Sequence, residues 1–256
     1  MKYSIVIKWA LLFSLAVIAQ AASAENTLCR YLPNHTQLKN ALTDAKNTAN
    51  GGFGLNMWAT IVDRKGIVCA VAFTGSRTFS QWPGSRVISA QKANTANAFS
   101  LPALALSTAN LYTATQPGGT LYGLQHSNPV DTAKAYKGPA DNFGKNNDPM
   151  VGERVGGVNV FGGGLAMYNA NGSLVGAIGV SGDSSCADHN IAWKTREALD
   201  FDHVPSGVSA NTDDNIIYDI TSQAGQMPGV STSGWGHPEC SPAATAISNA
   251  FPKAGT

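Results

Sequence analysis

Two short spacings in the second half of the chain carry the plainest hint of chemistry. Cys186-x-x-His189 and His237-x-x-Cys240 form a two-Cys, two-His set with the donor types and separations that hold zinc tetrahedrally. If the two cysteines are oxidised to each other, half of that donor set is lost, and in an exported chain oxidation is the simpler outcome. Two other motifs look chemical and fail on inspection. Gly179-Val180-Ser181-Gly182-Asp183 approaches a nucleophile elbow, but Asp183 stands where that pattern needs glycine. Gly162-Gly163-Gly164 lacks the following Lys and Ser/Thr of a phosphate loop and leads into a strand pattern where a helix is required.

The elements that would position these residues follow from periodicity and turn chemistry. Leu38, Leu42, Ala45 and Ala49 recur at helical spacing, and Gly51-Gly52 ends the run, which predicts a helix over 34–49. Strands are predicted over 55–62 and 67–73, joined by the turn Asp63-Arg64-Lys65-Gly66. A second helix over 87–99 carries Ala90, Ala93 and Ala96 along one narrow side. Residues 100–153 are punctuated by Pro and Gly, with one weak helical stretch at 107–113; so long a loop in a compact domain is usually functional or interfacial. GGVNV (156–160) then enters a late group of strands, including a hairpin of 165–168 and 174–180 that turns at Asn169-Ala170-Asn171-Gly172. A third helix over 187–199 buries Ile191, Thr195 and Leu199, and a last strand is predicted at 216–220. Gly176, Gly179 and Gly182 would let another backbone or a flat ligand approach where a Cβ would clash. The order α-β-β-α-loop-β-β-β-α has hairpin links and no crossover helices between successive strands. It predicts an α+β fold, an antiparallel sheet with helices packed on it.

Composition limits the partners. Lys2 and Lys8, the apolar run 10–19 and Ala22-Ser23-Ala24 before Glu25 read as a cleaved signal peptide over 1–24, with a periplasmic or secreted product. The whole chain holds 17 Lys and Arg against 16 Asp and Glu, and cleavage removes two lysines, leaving a net charge of about −1. That balance argues against nucleic acid or an anionic membrane surface as a main partner, and no later run is apolar enough to span a bilayer. The remainder, 25–256, suits a single domain with a loop insertion at 100–153 and a C-terminal extension at 200–256. Four cysteines in an exported chain favour disulfides, with three pairings open. Our expectation is Cys29–Cys69, tying the first helix's approach to the second strand, and Cys186–Cys240, pinning the tail.

KANTANAF in the second helix, GGVNV before the hairpin, GAIGVSG closing it and the helix led by Asp188 together resemble the GlcG/HbpS-like haem-binding family, which is related to the C-terminal domain of PduO-type proteins. The resemblance covers about 38–199. It implies a profilin-like α+β fold, assembly into homo-oligomers and non-covalent binding of haem or a related tetrapyrrole; oxidative haem degradation is the enzymatic alternative. A structural or stress-related oligomer with no small ligand is the third reading. Lys92 matches the family's lysine in the second helix, and Gly179, Ser181 and Gly182 match its glycine-rich turn.

Haem needs an apolar slot, cations for its propionates and usually an axial ligand. There is no CxxCH, so covalent c-type attachment is excluded. His237, between Gly236 and Pro238 and beside Trp235, is the most attractive iron ligand, because the glycines give access and Trp235 offers a flat surface. His126, in the long loop near Tyr122, is the second. Arg77, Arg86 and Lys92 are the candidate propionate partners, since carboxylates pair well with cationic donors; a surface role or a salt bridge is the competing account of the two arginines. His35, His189 and His203 read as helix-end or turn histidines.

Overall fold

A computed structural model describes residues 28–255, and the segment read as a signal peptide lies outside them. Helix α1 (His35–Asn47) starts where expected. The Asn34 side chain accepts from the backbone of Thr36 and Gln37, and Gln37 reaches back to the Asn34 amide, a reciprocal cap. Strands β1 (Trp58–Asp63) and β2 (Val68–Phe73) follow, then α2 (Ser85–Phe99). After a long segment holding single helical turns come β3 (Gly164–Tyr168), β4 (Leu174–Ser181) and α3 (Ser185–Ala198). The tail adds β5 (Ile220–Gln223), β6 (Gln226–Ser231) and α4 (Pro242–Asn249).

The main sheet runs β2-β1-β4-β3, antiparallel throughout, and β5-β6 form a separate ribbon. Side-chain alternation sends successive residues to opposite faces. Ala59 and Ile61 of β1 join Leu38, Leu42, Ile191 and Trp193 of α1 and α3 on one face. Trp58 and Val62 join Val87, Ala90, Ala93 and Ala96 of α2 on the other. The class is α+β, with helices on both faces of an antiparallel sheet. Among the described residues no helix is long and apolar enough to cross a membrane.

Close packing of α2 on β4 explains the alanine stripe and one of the glycines together. A Cβ at Gly179 would lie 2.0 Å from the Ser89 carbonyl oxygen and 2.4 Å from the Ala93 nitrogen. The glycine admits a helix backbone, the first of the two occupants its position allowed, and this leaves no room there for a flat ligand between the Lys92 and Ser181 segments. Those two segments do meet, directly, through Lys92 Nζ and the Val180 carbonyl at 3.0 Å.

Three charged pairs, each fully or almost fully buried, lock the less regular parts to this frame. Arg86 of α2 forks onto Asp148, which brings in the long insertion. Arg196 of α3 holds Asp214 of the tail through two bonds of 2.7 and 2.8 Å. Lys92 of α2 holds Asp188 of α3 at 2.7 Å. The disulfides are Cys29–Cys69 and Cys186–Cys240, the expected pairing.

Three sequence expectations change. GGVNV forms no strand: it lies along α2, where Asn94 Nδ2 donates to the Gly157 carbonyl and the Asn159 amide donates to Thr95 Oγ1. The late sheet therefore gains two strands where three were expected. The tail strand begins at Ile220, the point at which 216–220 was expected to end, because the strand pairs with β6 across Gly225. Pattern reading also missed α4, whose Pro242 start and Ser241 cap are conventional N-terminal signals.

Candidate functional site

The sequence-marked residues are scattered over several separate places. The first is a buried polar centre between α2, α3 and the tail. Lys92 Nζ bonds Asp188 Oδ2 and the Val180 carbonyl, while Asp188 Oδ1 accepts from the Asp183 amide at 2.8 Å. Burial pushes the Asp188 carboxyl up to about 6, outweighing the Lys92 charge that opposes it. Gly163, at φ +115°, passes this pair with no room for a side chain, its virtual Cβ 2.4 Å from the Val180 oxygen.

His237 sits beside that centre with only 2% of its surface exposed. Its Nδ1 lies 2.7 Å from the Pro238 carbonyl, which can only accept, so Nδ1 carries the proton. Nε2 then presents a lone pair, and it is buried with no hydrogen-bond partner among the described residues. Burial lowers the imidazole to about 4, with the Lys92 charge acting in the same direction, so the ring is neutral at pH 7. The Tyr112 ring stands 5.1 Å away, centroid to centroid. His189 is fully buried one turn into α3; its Nε2 lies 3.2 Å from both the Ile216 amide and Asn215 Oδ1, and burial lowers it to about 3, followed by the Arg196 charge. It is a core histidine, not the helix-end residue expected. His237 thus has ligand chemistry without room for a ligand the size of a macrocycle.

The zinc-like set is not assembled. Cys186 and Cys240 are bonded to each other, with the Cys186 amide donating to Cys240 Sγ. The described triplets whose ligand atoms converge within 4.8 Å are Cys29–Asp63–Cys69 and Asp200–Asp202–His203, and neither contains His189 or His237. Ser181 is buried at the end of β4, and Gly182 passes Asn56, whose carbonyl a Cβ would meet at 2.4 Å. Trp235 packs against the Leu106 and Leu111 cluster. His126 is exposed on the turn Leu124–Ser127.

Room lies elsewhere, between loop 74–84 and segment 136–145. An apolar slot of about 160 Å³ is walled by Phe79, Tyr136, Phe143, Val87, Pro83 and Trp58. Next to it, sharing Thr78, Phe79, Ala140 and Phe143, is a polar cavity of about 310 Å³ that carries Arg77, Lys39 and Lys145. Phe79 is 73% exposed and Tyr136 58%. The Arg86 guanidinium lies 3.6 Å from the Phe143 ring centroid, so the pair it makes with Asp148 also props the slot's wall. His35 borders the groove through its Nε2, 3.0 Å from the Gly144 carbonyl. Of the residues marked from sequence, Arg77 lines the polar cavity and Arg86 the apolar slot. The missed signal was compositional: Phe79 and Trp82 stand in a glycine-flanked loop with an arginine, and such aromatics have no core to serve.

The chain matches, over residues 34–197, the family described as "Haem degrading protein HbpS-like". It belongs to the HbpS-like family. Among solved structures, this HbpS-like chain is similar to a PduOC:haem complex at 24% identity, with a TM-score of 0.45 over 66% of this chain and 94% of that one. It is also similar to protein ORFY of Klebsiella pneumoniae at 24% identity, with a TM-score of 0.42 over 64% and 87% of the two chains. No curated protein sequence matches it. The HbpS-like match stops at 197, so both His237 and the Cys240 partner of α3 fall beyond the family's extent.

Proposed function

We propose that the protein binds haem without covalent attachment, in the groove between loop 74–84 and segment 136–145. One observation carries the reading: an apolar slot with aromatic walls adjoins a cavity lined by three cations and a single carboxylate, Asp141. Haem is a flat apolar disc with two carboxylates on one edge, and that distribution of chemistry is what such a groove complements. Phe79, Tyr136 and Phe143 would face the macrocycle, and Arg77, Lys39 and Lys145 would take the propionates. Tyr136 is the lining side chain of a type that ligates haem iron. Lys92 is not a propionate partner in this reading, because Asp188 already holds it.

Membership of a family described as haem-degrading supports a second reading of the same groove. Bound haem would supply an iron that can react with oxygen when a reductant is present. Time separates binding from degradation: with haem, reductant and air, a binder keeps its Soret band and a degrader loses it with release of iron.

The test of the site is a haemin titration followed by absorbance. Phe79→Ala and Arg77→Ala are expected to weaken binding about tenfold each, the effect of losing one aromatic wall or one charged partner. His237→Ala and His126→Ala are expected to leave it unchanged. Loss of the Soret shift in His237→Ala alone would move the site to the tail and its unpartnered Nε2. Absence of any saturable shift in the wild type would end the haem reading and favour an oligomer without a small ligand.

We also propose export after cleavage at 24, with two disulfides as the supporting feature, a single domain over 25–256 and assembly into a homo-oligomer. N-terminal mass analysis of periplasmic material and light scattering test these.

A further inference from the structure

The Cys29–Cys69 disulfide lies against a carboxylate of which the fold uses only one oxygen. β1 and β2 pair Ile61 with Ala70 and then Val62 with Val68, so Cys69 is the extra residue of a β-bulge. Bulges re-aim a side chain out of the regular alternation, and here Cys69 sits on the edge strand of the sheet. A carboxylate oxygen of Asp63, at the end of β1, lies within 4.8 Å of both sulfurs, which lie within that distance of each other. Asp63 is completely buried. Its Oδ1 is spoken for, accepting from the amides of Lys65 (2.8 Å) and Ile67 (3.0 Å), and these two bonds fix the carboxyl plane. Its Oδ2 is buried with no hydrogen-bond partner among the described residues. An unpartnered buried carboxylate oxygen costs stability and calls for an occupant. Cys29 and Cys69 are themselves half-buried, so a site formed by these three residues keeps an opening toward solvent.

We propose that reduction of Cys29–Cys69 converts this corner into a zinc site formed by two thiolates and the Asp63 carboxylate, with water as the fourth ligand. A dithiol reductant supplies two electrons and two protons, giving Cys29-SH and Cys69-SH and leaving as its own disulfide. Zn²⁺ then displaces the two thiol protons and is held through two sulfurs and Asp63 Oδ2. Two soft donors and one hard donor in a tetrahedral, partly open arrangement suit Zn²⁺ better than the all-oxygen cations. The contrast with the other disulfide is geometric. Cys186–Cys240 has histidines near it in sequence, yet among the described residues no third His, Asp or Glu ligand atom converges on it, whereas at Cys29–Cys69 a third donor is already in place.

The experiment reduces the full mature chain with a phosphine, which binds zinc weakly, and then alkylates the thiols with and without added Zn²⁺. Mass spectrometry reads each cysteine separately. Zinc is expected to slow alkylation of Cys29 and Cys69 relative to the zinc-free sample, and to leave the rates at the buried Cys186 and at Cys240 unchanged. Asp63→Asn keeps an acceptor for the Lys65 and Ile67 amides but removes the charge; it is expected to weaken zinc binding at least tenfold in a chelator competition. The oxidised protein is expected to bind no zinc at this corner. Protection of Cys186 and Cys240 alone, protection of no cysteine, or equal zinc affinity in Asp63→Asn would each overturn the proposal. So would a loss of the far-ultraviolet circular dichroism on reduction that zinc does not restore, since the donors would then not be held by the fold.

Discussion

Replacing Lys92 by methionine tests the electrostatics of the buried centre most directly. The ammonium makes bonds of 2.7 Å to Asp188 Oδ2 and 3.0 Å to the Val180 carbonyl, in a place where both charged groups are almost wholly enclosed. Methionine fills a similar volume, so packing against Gly179 and Gly163 changes little. The charge on Asp188 is left without its counterion, and breaking a buried pair in this way costs about 3–5 kcal/mol. Acid should relieve it. Asp188 already titrates near 6 in the folded protein, raised from 3.8 by burial, and losing Lys92 raises it further. The folded carboxyl therefore takes up its proton before the unfolded one as pH falls, so its ionised form penalises the fold above pH 6 and the penalty fades below it. Urea unfolding at pH 8 should show the full loss, and at pH 5, where Asp188 is protonated in both folded proteins, most of the difference should vanish. Lys92→Met combined with Asp188→Asn should recover most of the loss at pH 8. A single variant less than 1 kcal/mol below wild type at pH 8, or a loss identical at pH 5 and pH 8, would refute the reasoning.

Three more outcomes follow from the same structure. His237 is held near 4 against an ordinary 6.5, so the unfolded chain protonates first as pH falls. Its contribution is intact above pH 6.5 and lost down to pH 4, about 3 kcal/mol, with His189 acting in the same direction and Asp188 opposing. His237→Phe should flatten the fall in urea midpoint between pH 7 and 4. Gly179→Ala forces a methyl group into the backbone of α2, at 2.0 Å from the Ser89 oxygen, and should cost about 3 kcal/mol, the upper end for overpacking; an unchanged melting temperature would show that α2 can move away. Replacing Cys186 and Cys240 together by alanine opens a 54-residue loop and should cost about 4 kcal/mol in urea unfolding, chiefly through the freed unfolded chain.

The regular elements could be read from the chain because their causes are local. Asn34 with Gln37 sets the start of α1, Gly172 turns the β3–β4 hairpin, and the alternation in β1 and β2 needs two helical layers to bury it. Even the alanine stripe of α2 and Gly179 were visible as features that admit something close. What approached them was decided in three dimensions: a helix backbone, and not a flat ligand, filled the space that either could use. The same holds for the charges. Lys92, Arg86 and Arg196 look alike in sequence, and nothing local says that each meets an aspartate 96, 62 and 18 positions away in a closed interior. His237 reads as an open glycine-flanked turn until the tail folds it under Tyr112. The aromatic groove was hidden for the opposite reason, since Phe79, Tyr136 and Phe143 come from segments without periodicity and gain meaning only when the Arg86–Asp148 pair draws them together. Periodicity and capping act over a few residues and so are written along the chain; burial and charge pairing depend on which distant segments exclude water together, and only the tertiary structure decides that.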